Sequence, residues 1–132
     1  MDKIHHFGFV VSNIETSLDF FKSFLNCTQT TEILDESNQK VKVVFLKSSQ
    51  EDVMFELIEP SGPDSPVYNH MKKGGGFSHI CFEVENIEKS ISKYQKNGFK
   101  QIGSVKESTI FKGKKVAFLF NKNIHLIELI GI

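Results

Sequence analysis

Two histidines and two glutamates in this 132-residue chain recur as matched pairs of a kind that binds cations. His6 stands in the run Ile4-His5-His6-Phe7-Gly8-Phe9-Val10-Val11-Ser12-Asn13-Ile14-Glu15. His79 stands in Phe77-Ser78-His79-Ile80-Cys81-Phe82-Glu83-Val84-Glu85-Asn86-Ile87-Glu88. Superposing the two histidines also superposes Asn13 on Asn86, Ile14 on Ile87 and Ser17 on Ser90, at a constant offset of 73. Val43-Val44-Phe45-Leu46 answers Val116-Ala117-Phe118-Leu119 at the same offset, and Glu56 answers Glu128 at 72. Each half opens on a His and closes on a Glu, so the chain is an internal duplication.

A glutamate at the centre of an apolar strand is costly unless its charge is paired or bound to a metal. Two imidazoles and two carboxylates suit one divalent ion: Zn, Co, Ni or Fe by the imidazoles, with Mn added by the carboxylates. A single strand histidine is more often a satisfied core or edge residue, and a single strand glutamate usually faces solvent. The repetition at nearly equal spacing favours His6, Glu56, His79 and Glu128 as metal ligands. His5 competes with His6, but strand alternation and the register with His79 favour His6. His70 and His125 have no duplicated counterpart and read as exposed side chains. Cys81 shares the face of His79 and reads as a small apolar filler.

The elements that must position these residues follow from periodicity. Residues 3–11 alternate as a strand, with Phe7, Phe9 and Val11 on one face and His6, Gly8 and Val10 on the other. A helix follows, opened by Ser12 or Asn13 with Glu15 as a capping-box partner, and its apolar stripe is Ile14, Leu18, Phe21 and Leu25. Residues 28–33 are β-branched and predict a strand, 35–38 a polar turn, and 41–46 and 53–58 a strand pair. Pro60 to Pro66 breaks regular structure, Ser65 and Pro66 start a short helix to about Lys73, and Gly74-Gly75-Gly76 ends it. The second half repeats the order, with strands at 77–84, 99–105, 114–120 and 124–130 and a helix over 86–97. This is an α+β chain of tandem βαβββ modules, about 1–59 and 77–132, joined by a connector over 60–76. Alternation places Glu56 and Glu128 on the helix-free face beside the histidines.

Composition narrows the class further. The length fits one domain, and each half alone would be marginal. Lys+Arg and Asp+Glu are both 16, which leaves no overall charge favouring nucleic acid or membrane. Cys27 and Cys81 make no disulfide framework, and the start shows no signal peptide or membrane span, so a reduced, cytoplasmic protein is expected.

With these residues in place, the whole chain resembles the vicinal oxygen chelate superfamily, which includes glyoxalases, bleomycin resistance proteins and dioxygenases. The resemblance is greatest to the methylmalonyl-CoA epimerases. It rests on the His5-His6-Phe7-Gly8-Phe9-Val10-Val11-Ser12-Asn13-Ile14-Glu15 opening, on Phe55-Glu56-Leu57-Ile58-Glu59-Pro60 with Gly62-Pro63-Asp64-Ser65-Pro66, and on Ser78-His79-Ile80-Cys81-Phe82-Glu83-Val84. Lys115-Val116-Ala117-Phe118-Leu119 and Leu126-Ile127-Glu128-Leu129 complete it. The resemblance implies a curved mixed sheet, one divalent ion held by His6, Glu56, His79 and Glu128, and a homodimer. It implies proton transfer next to a carbonyl of an acyl-CoA or similar thioester, with Glu128 as one proton-transfer group. The other family glutamate falls in register on Asn38, which leaves Glu36, two residues earlier, as the candidate. Only Gly113 remains of a glycine-rich turn that the family tends to carry before its second Val-Ala-Phe-Leu. The alternatives are a glyoxalase I-like lactoylglutathione lyase and a metal-free ligand-binding resistance protein. Extradiol dioxygenases, which take two His and one Glu from a single module, fit less well.

Overall fold

The computed structural model describes residues 2–132, in nine strands and three helices. The strands are β1 (Lys3–Val10), β2 (Thr28–Gln29), β3 (Leu34–Glu36), β4 (Val41–Lys47), β5 (Met54–Pro60), β6 (Gly76–Val84), β7 (Lys100–Glu107), β8 (Lys115–Asn121) and β9 (His125–Gly131). The helices are α1 (Ile14–Ser23), α2 (Tyr68–Lys72) and α3 (Ile87–Lys96). The sheet is mixed, with parallel β1–β5 and β6–β9 pairs among antiparallel ones. The chain divides into two compact units, residues 6–78 and residues 79–132 together with the segment up to His5.

In the first unit the strand order is β2-β4-β5-β1, with β3 also paired to β4. Helix α1 covers one face, where Ile14 and Leu18 meet Val44, Leu46, Leu57 and Cys27, with Phe9, Phe21 and Phe55 alongside. Burial of this apolar set is the main stabilising term of the unit. In the second unit the order is β6-β9-β8-β7. There α3 lays Ile87 and Ile91 on Val84, Ala117, Leu119, Ile127 and Leu129. The period-two and helical stripes expected from the sequence form both layers.

Both long helices start the same way. The Asn13 side chain accepts the Thr16 N–H at 2.9 Å, and the Asn86 side chain accepts the Lys89 N–H at 2.9 Å. Asn13 is therefore the cap in preference to Ser12, because its extended backbone (φ −146°, ψ 114°) aims the amide oxygen at the first turn. A second, tertiary cap was not evident from the sequence: the Ile14 N–H donates to Glu59 Oε1 at 2.7 Å. A carboxylate at a helix N-terminus also complements the helix dipole. The corresponding place in the second unit is Gly131, where an added Cβ would sit 3.4 Å from Ile87 Cβ. One helix is held by charge and the other by close approach.

Three expectations shift. The strand expected over 28–33 is cut to β2 at Thr28–Gln29, and β3 forms beyond it at Leu34–Glu36, reaching into the expected turn; between the two, Thr30 and Thr31 bond to Phe45 with their side chains. The Thr30 hydroxyl donates to Phe45 O at 3.1 Å, and the Phe45 N–H donates to Thr31 Oγ1 at 3.1 Å. Helix α1 ends at Ser23, so Leu25 lies beyond it and is exposed. Helix α2 starts at Tyr68, because Ser65 and Pro66 are spent in a turn closed by the Tyr68 N–H donating to Ser65 O at 3.1 Å. The glycines after it have φ of +117°, +69° and +101°, and a Cβ on Gly75 would meet Val10 O at 2.5 Å.

Asp2 ties the N-terminal segment to α3: its carboxylate accepts the Tyr94 hydroxyl at 2.8 Å and Lys93 Nζ at 3.2 Å. Burial, and then this carboxylate, push the Tyr94 phenol above its ordinary range. The neutral phenol is favoured in the fold, so its contribution is full below the ordinary tyrosine pKa and is lost as pH rises above it. Ultraviolet titration is expected to show one tyrosine ionising well above pH 10, and Asp2→Ala to bring it down. Asn13→Ala is expected to cost about 1 kcal/mol and lower the thermal midpoint by about 3 °C. An unchanged midpoint would show that Glu59 alone holds the helix start.

Candidate metal centre

The site-bearing face of each unit is the one away from its helix. In the first unit β1 pairs with β5 so that Gly8 lies beside Glu56, and β4 pairs with β5 so that Phe45 lies opposite Glu56. Paired residues share a face, and alternation adds His6 to it. His6 Nε2 and Glu56 Oε1 are 3.3 Å apart, with His6 only 2% exposed. The second unit repeats this arrangement. Glu128 lies beside Cys81 and opposite Phe118. His79 Nε2 and Glu128 Oε1 are 3.2 Å apart, with His79 3% exposed.

Each imidazole is flanked edge-on by the phenylalanine opposite the glutamate. The His6 and Phe45 ring centroids are 5.2 Å apart at 83°, and those of His79 and Phe118 are 5.8 Å apart at 83°. The repeated motif is thus His–Glu–Phe. The role of the phenylalanine was missed in the sequence, although Phe45 and Phe118 repeat there at the offset of 73. An aromatic edge restricts imidazole rotation without offering a competing acceptor.

The donor spacing tests whether a cation fits these pairs. Donors about 2.1 Å from a common ion are about 3.0 Å apart at a right angle and about 3.4 Å apart at a tetrahedral one. The observed 3.2 and 3.3 Å lie between those values. The atoms that meet are an imidazole nitrogen and a carboxylate oxygen, both good donors to divalent first-row ions. Each pair therefore fits as half of a metal site.

The remaining candidates separate clearly. Glu36 is not in a turn: it ends β3, pairs with Val41, and is 8% exposed. Val41 in turn pairs with Pro60, four residues from Glu56, so Glu36 lies on the same face as Glu56, two strands across. Its carboxylate accepts the Asn38 N–H at 3.0 Å, while Asn38 itself is exposed. Cys81 is fully buried against Val116, Ile130 and Phe111. His5 meets Phe111 edge-on at 5.0 Å. His125 is exposed at the start of β9 with φ +68°, and His70 lies on α2.

Residues 5–118 match the family described as the Glyoxalase/Bleomycin resistance protein/Dioxygenase superfamily. The chain is 32% identical to the mitochondrial methylmalonyl-CoA epimerase of Homo sapiens, over 98% of this chain and 73% of that protein. It is 28% identical to the ethylmalonyl-CoA/methylmalonyl-CoA epimerase of Cereibacter sphaeroides, over 96% of each. The crystal structure of methylmalonyl-CoA epimerase from Mycobacterium tuberculosis shares the fold, with a TM-score of 0.84 at 17% identity over 97% of this chain and 86% of that one. The duplicated modules, the mixed sheet and these matches agree that the chain belongs to the Glyoxalase/Bleomycin resistance protein/Dioxygenase superfamily and is similar to its methylmalonyl-CoA epimerases.

Proposed function

We propose that this chain is a divalent-metal-dependent epimerase that inverts the carbon next to the thioester carbonyl of a malonyl-type acyl-CoA such as methylmalonyl-CoA. The observation that carries this reading is the buried His–Glu pair built once in each unit of a chain 32% identical to a named epimerase. The epimerase names of the relatives favour it over hemithioacetal isomerisation and over a metal-free resistance protein.

His6, Glu56, His79 and Glu128 together are assigned to one ion. Bound there, a divalent ion supplies positive charge that stabilises the negative charge developing on the carbonyl oxygen. The protein supplies the proton transfers. Inversion needs a base on one side of the carbon and an acid on the other. Glu36, a buried carboxylate outside the His–Glu pairs, is assigned as one of these groups. Glu128 is assigned as the other. Phe45 and Phe118 hold the imidazole planes during turnover. We also assign the protein to the cytoplasm as a homodimer, the first in keeping with two free, buried cysteines. No helix among the described residues is long and apolar enough to cross a membrane.

Purified without chelator, the protein is expected to carry about one divalent ion per chain. Adding Co, Ni, Mn, Zn or Fe at 100 times its dissociation constant to stripped protein should raise stability by about 2.7 kcal/mol. His79→Ala and Glu56→Ala should abolish that shift, and a wild type that no such ion stabilises would overturn the site. Glu36→Gln should lower kcat for deuterium exchange into methylmalonyl-CoA by about 100-fold or more, with KM little changed. Full activity in that variant would remove Glu36 from the mechanism while leaving the metal centre untouched.

A further inference from the structure

Charge is unevenly shared within this neutral chain. Residues 79–132 with the segment up to His5 hold ten lysines against six carboxylates, residues 6–78 hold six lysines against ten, and there is no arginine. Three of the lysines gather at one end of the β7–β8 hairpin. Lys106 pairs with Val116, which lies in the buried cluster of Cys81 and Ile130, so Lys106 sits on the Glu128 face of its unit. Lys114 stands just before β8, two residues ahead of Val116. Lys112 is at the turn between the strands.

That turn is pinned. Ser108 Oγ accepts the Ile110 N–H at 3.2 Å and the Phe111 N–H at 2.9 Å. The Ser108 N–H donates to Lys114 O at 2.8 Å, and the Lys114 N–H donates to Phe111 O at 3.1 Å. The Phe111 ring packs on Cys81, Val116 and Ile130. The backbone of the turn that carries Lys112 and Lys114 is therefore fixed beside the end of β7 that carries Lys106. Unlike Lys93 and Lys115, none of the three has a carboxylate within ion-pair distance among the described residues. Like charges carried on one short turn repel, and an anion drawn between them relieves that repulsion. Towards the other end of the hairpin, on the same face, Ile102 is 51% and Phe120 41% exposed.

We propose that the Lys106–Lys112–Lys114 ridge binds the phosphates of the nucleotide end of the CoA thioester. The inference rests on the epimerase reading for the identity of that carrier. Glu128 pairs with Phe118, and Lys114 lies four residues along the chain from Phe118, about 13 Å at ~3.3 Å per residue. A pantetheine arm spans that distance. Lysines bind phosphate as point charges, so this end of the substrate is gripped in a salt-sensitive way.

The test uses adenosine 3′,5′-bisphosphate, which carries the phosphates but no acyl group, in calorimetric titrations of the full chain. Wild type is expected to bind it, with affinity falling steeply with salt. Lys106→Glu/Lys112→Glu/Lys114→Glu should weaken binding about tenfold or more, while replacing the same three by arginine should retain it. In turnover the glutamate variant should raise KM for methylmalonyl-CoA with little change in kcat, and leave methylmalonyl-pantetheine, which has no phosphate, unaffected. Absence of bisphosphate binding, equal binding by wild type and the glutamate variant, or equal damage with both substrates would overturn the phosphate ridge. Bisphosphate binding lost in the variant, with no turnover of either thioester by wild type, would uphold the ridge and instead sink the epimerase reading.

Discussion

The fold turns on the burial of a charge. Glu56 and Glu128 each stand at the middle of a strand whose neighbours Leu57 and Leu129 are fully buried. Removing a carboxylate from water costs several kcal/mol even after relaxation, and the imidazole 3.2–3.3 Å away offsets part of that cost. A cation shared by the donors would change that balance. The surrounding strands hold the donors in place: β4 and β8 supply the phenylalanines beside the rings, and the parallel partners β1 and β6 carry the histidines.

Much of this was legible in the sequence because it rests on alternation and on repetition. The face shared by His6 and Glu56 follows from period two, as does that shared by His79 and Glu128. The offset of 73 gave the second copy of each element, including the Asn86 cap. What could not be read depended on side chains meeting at long range. The Glu59 contact to the start of α1 spans 45 residues, and nothing local distinguishes Glu59 from a solvent-facing strand glutamate. Glu36 was expected in a polar turn because Asp35, Ser37 and Asn38 surround it. It is buried instead because β4 draws Leu34–Glu36 into the sheet. Thr30 and Thr31 looked like strand residues by their branching, yet their hydroxyls take over part of the pairing to Phe45.

The two copies show how a duplicated scaffold divides its tasks. The first retains a charged helix cap and a carboxylate, Glu36, on its site face. The second replaces the cap with Gly131 and collects lysines on its outer hairpin. These differences leave the His–Glu–Phe arrangement alike in both. The two copies thus agree at a small set of strand positions and differ at the helix start and the hairpin edge.

The slip in offset from 73 to 72 has a meaning of its own. It falls between Phe45 and Glu56 in one copy and between Phe118 and Glu128 in the other, within the turn that joins the two strands. Each phenylalanine still stands on the same rung as its glutamate. The one-residue difference therefore lies in the length of the bend and leaves the pairing at the centre as it is. What the two copies hold in common at these glutamates is the rung across the sheet, and not the count of residues along the chain.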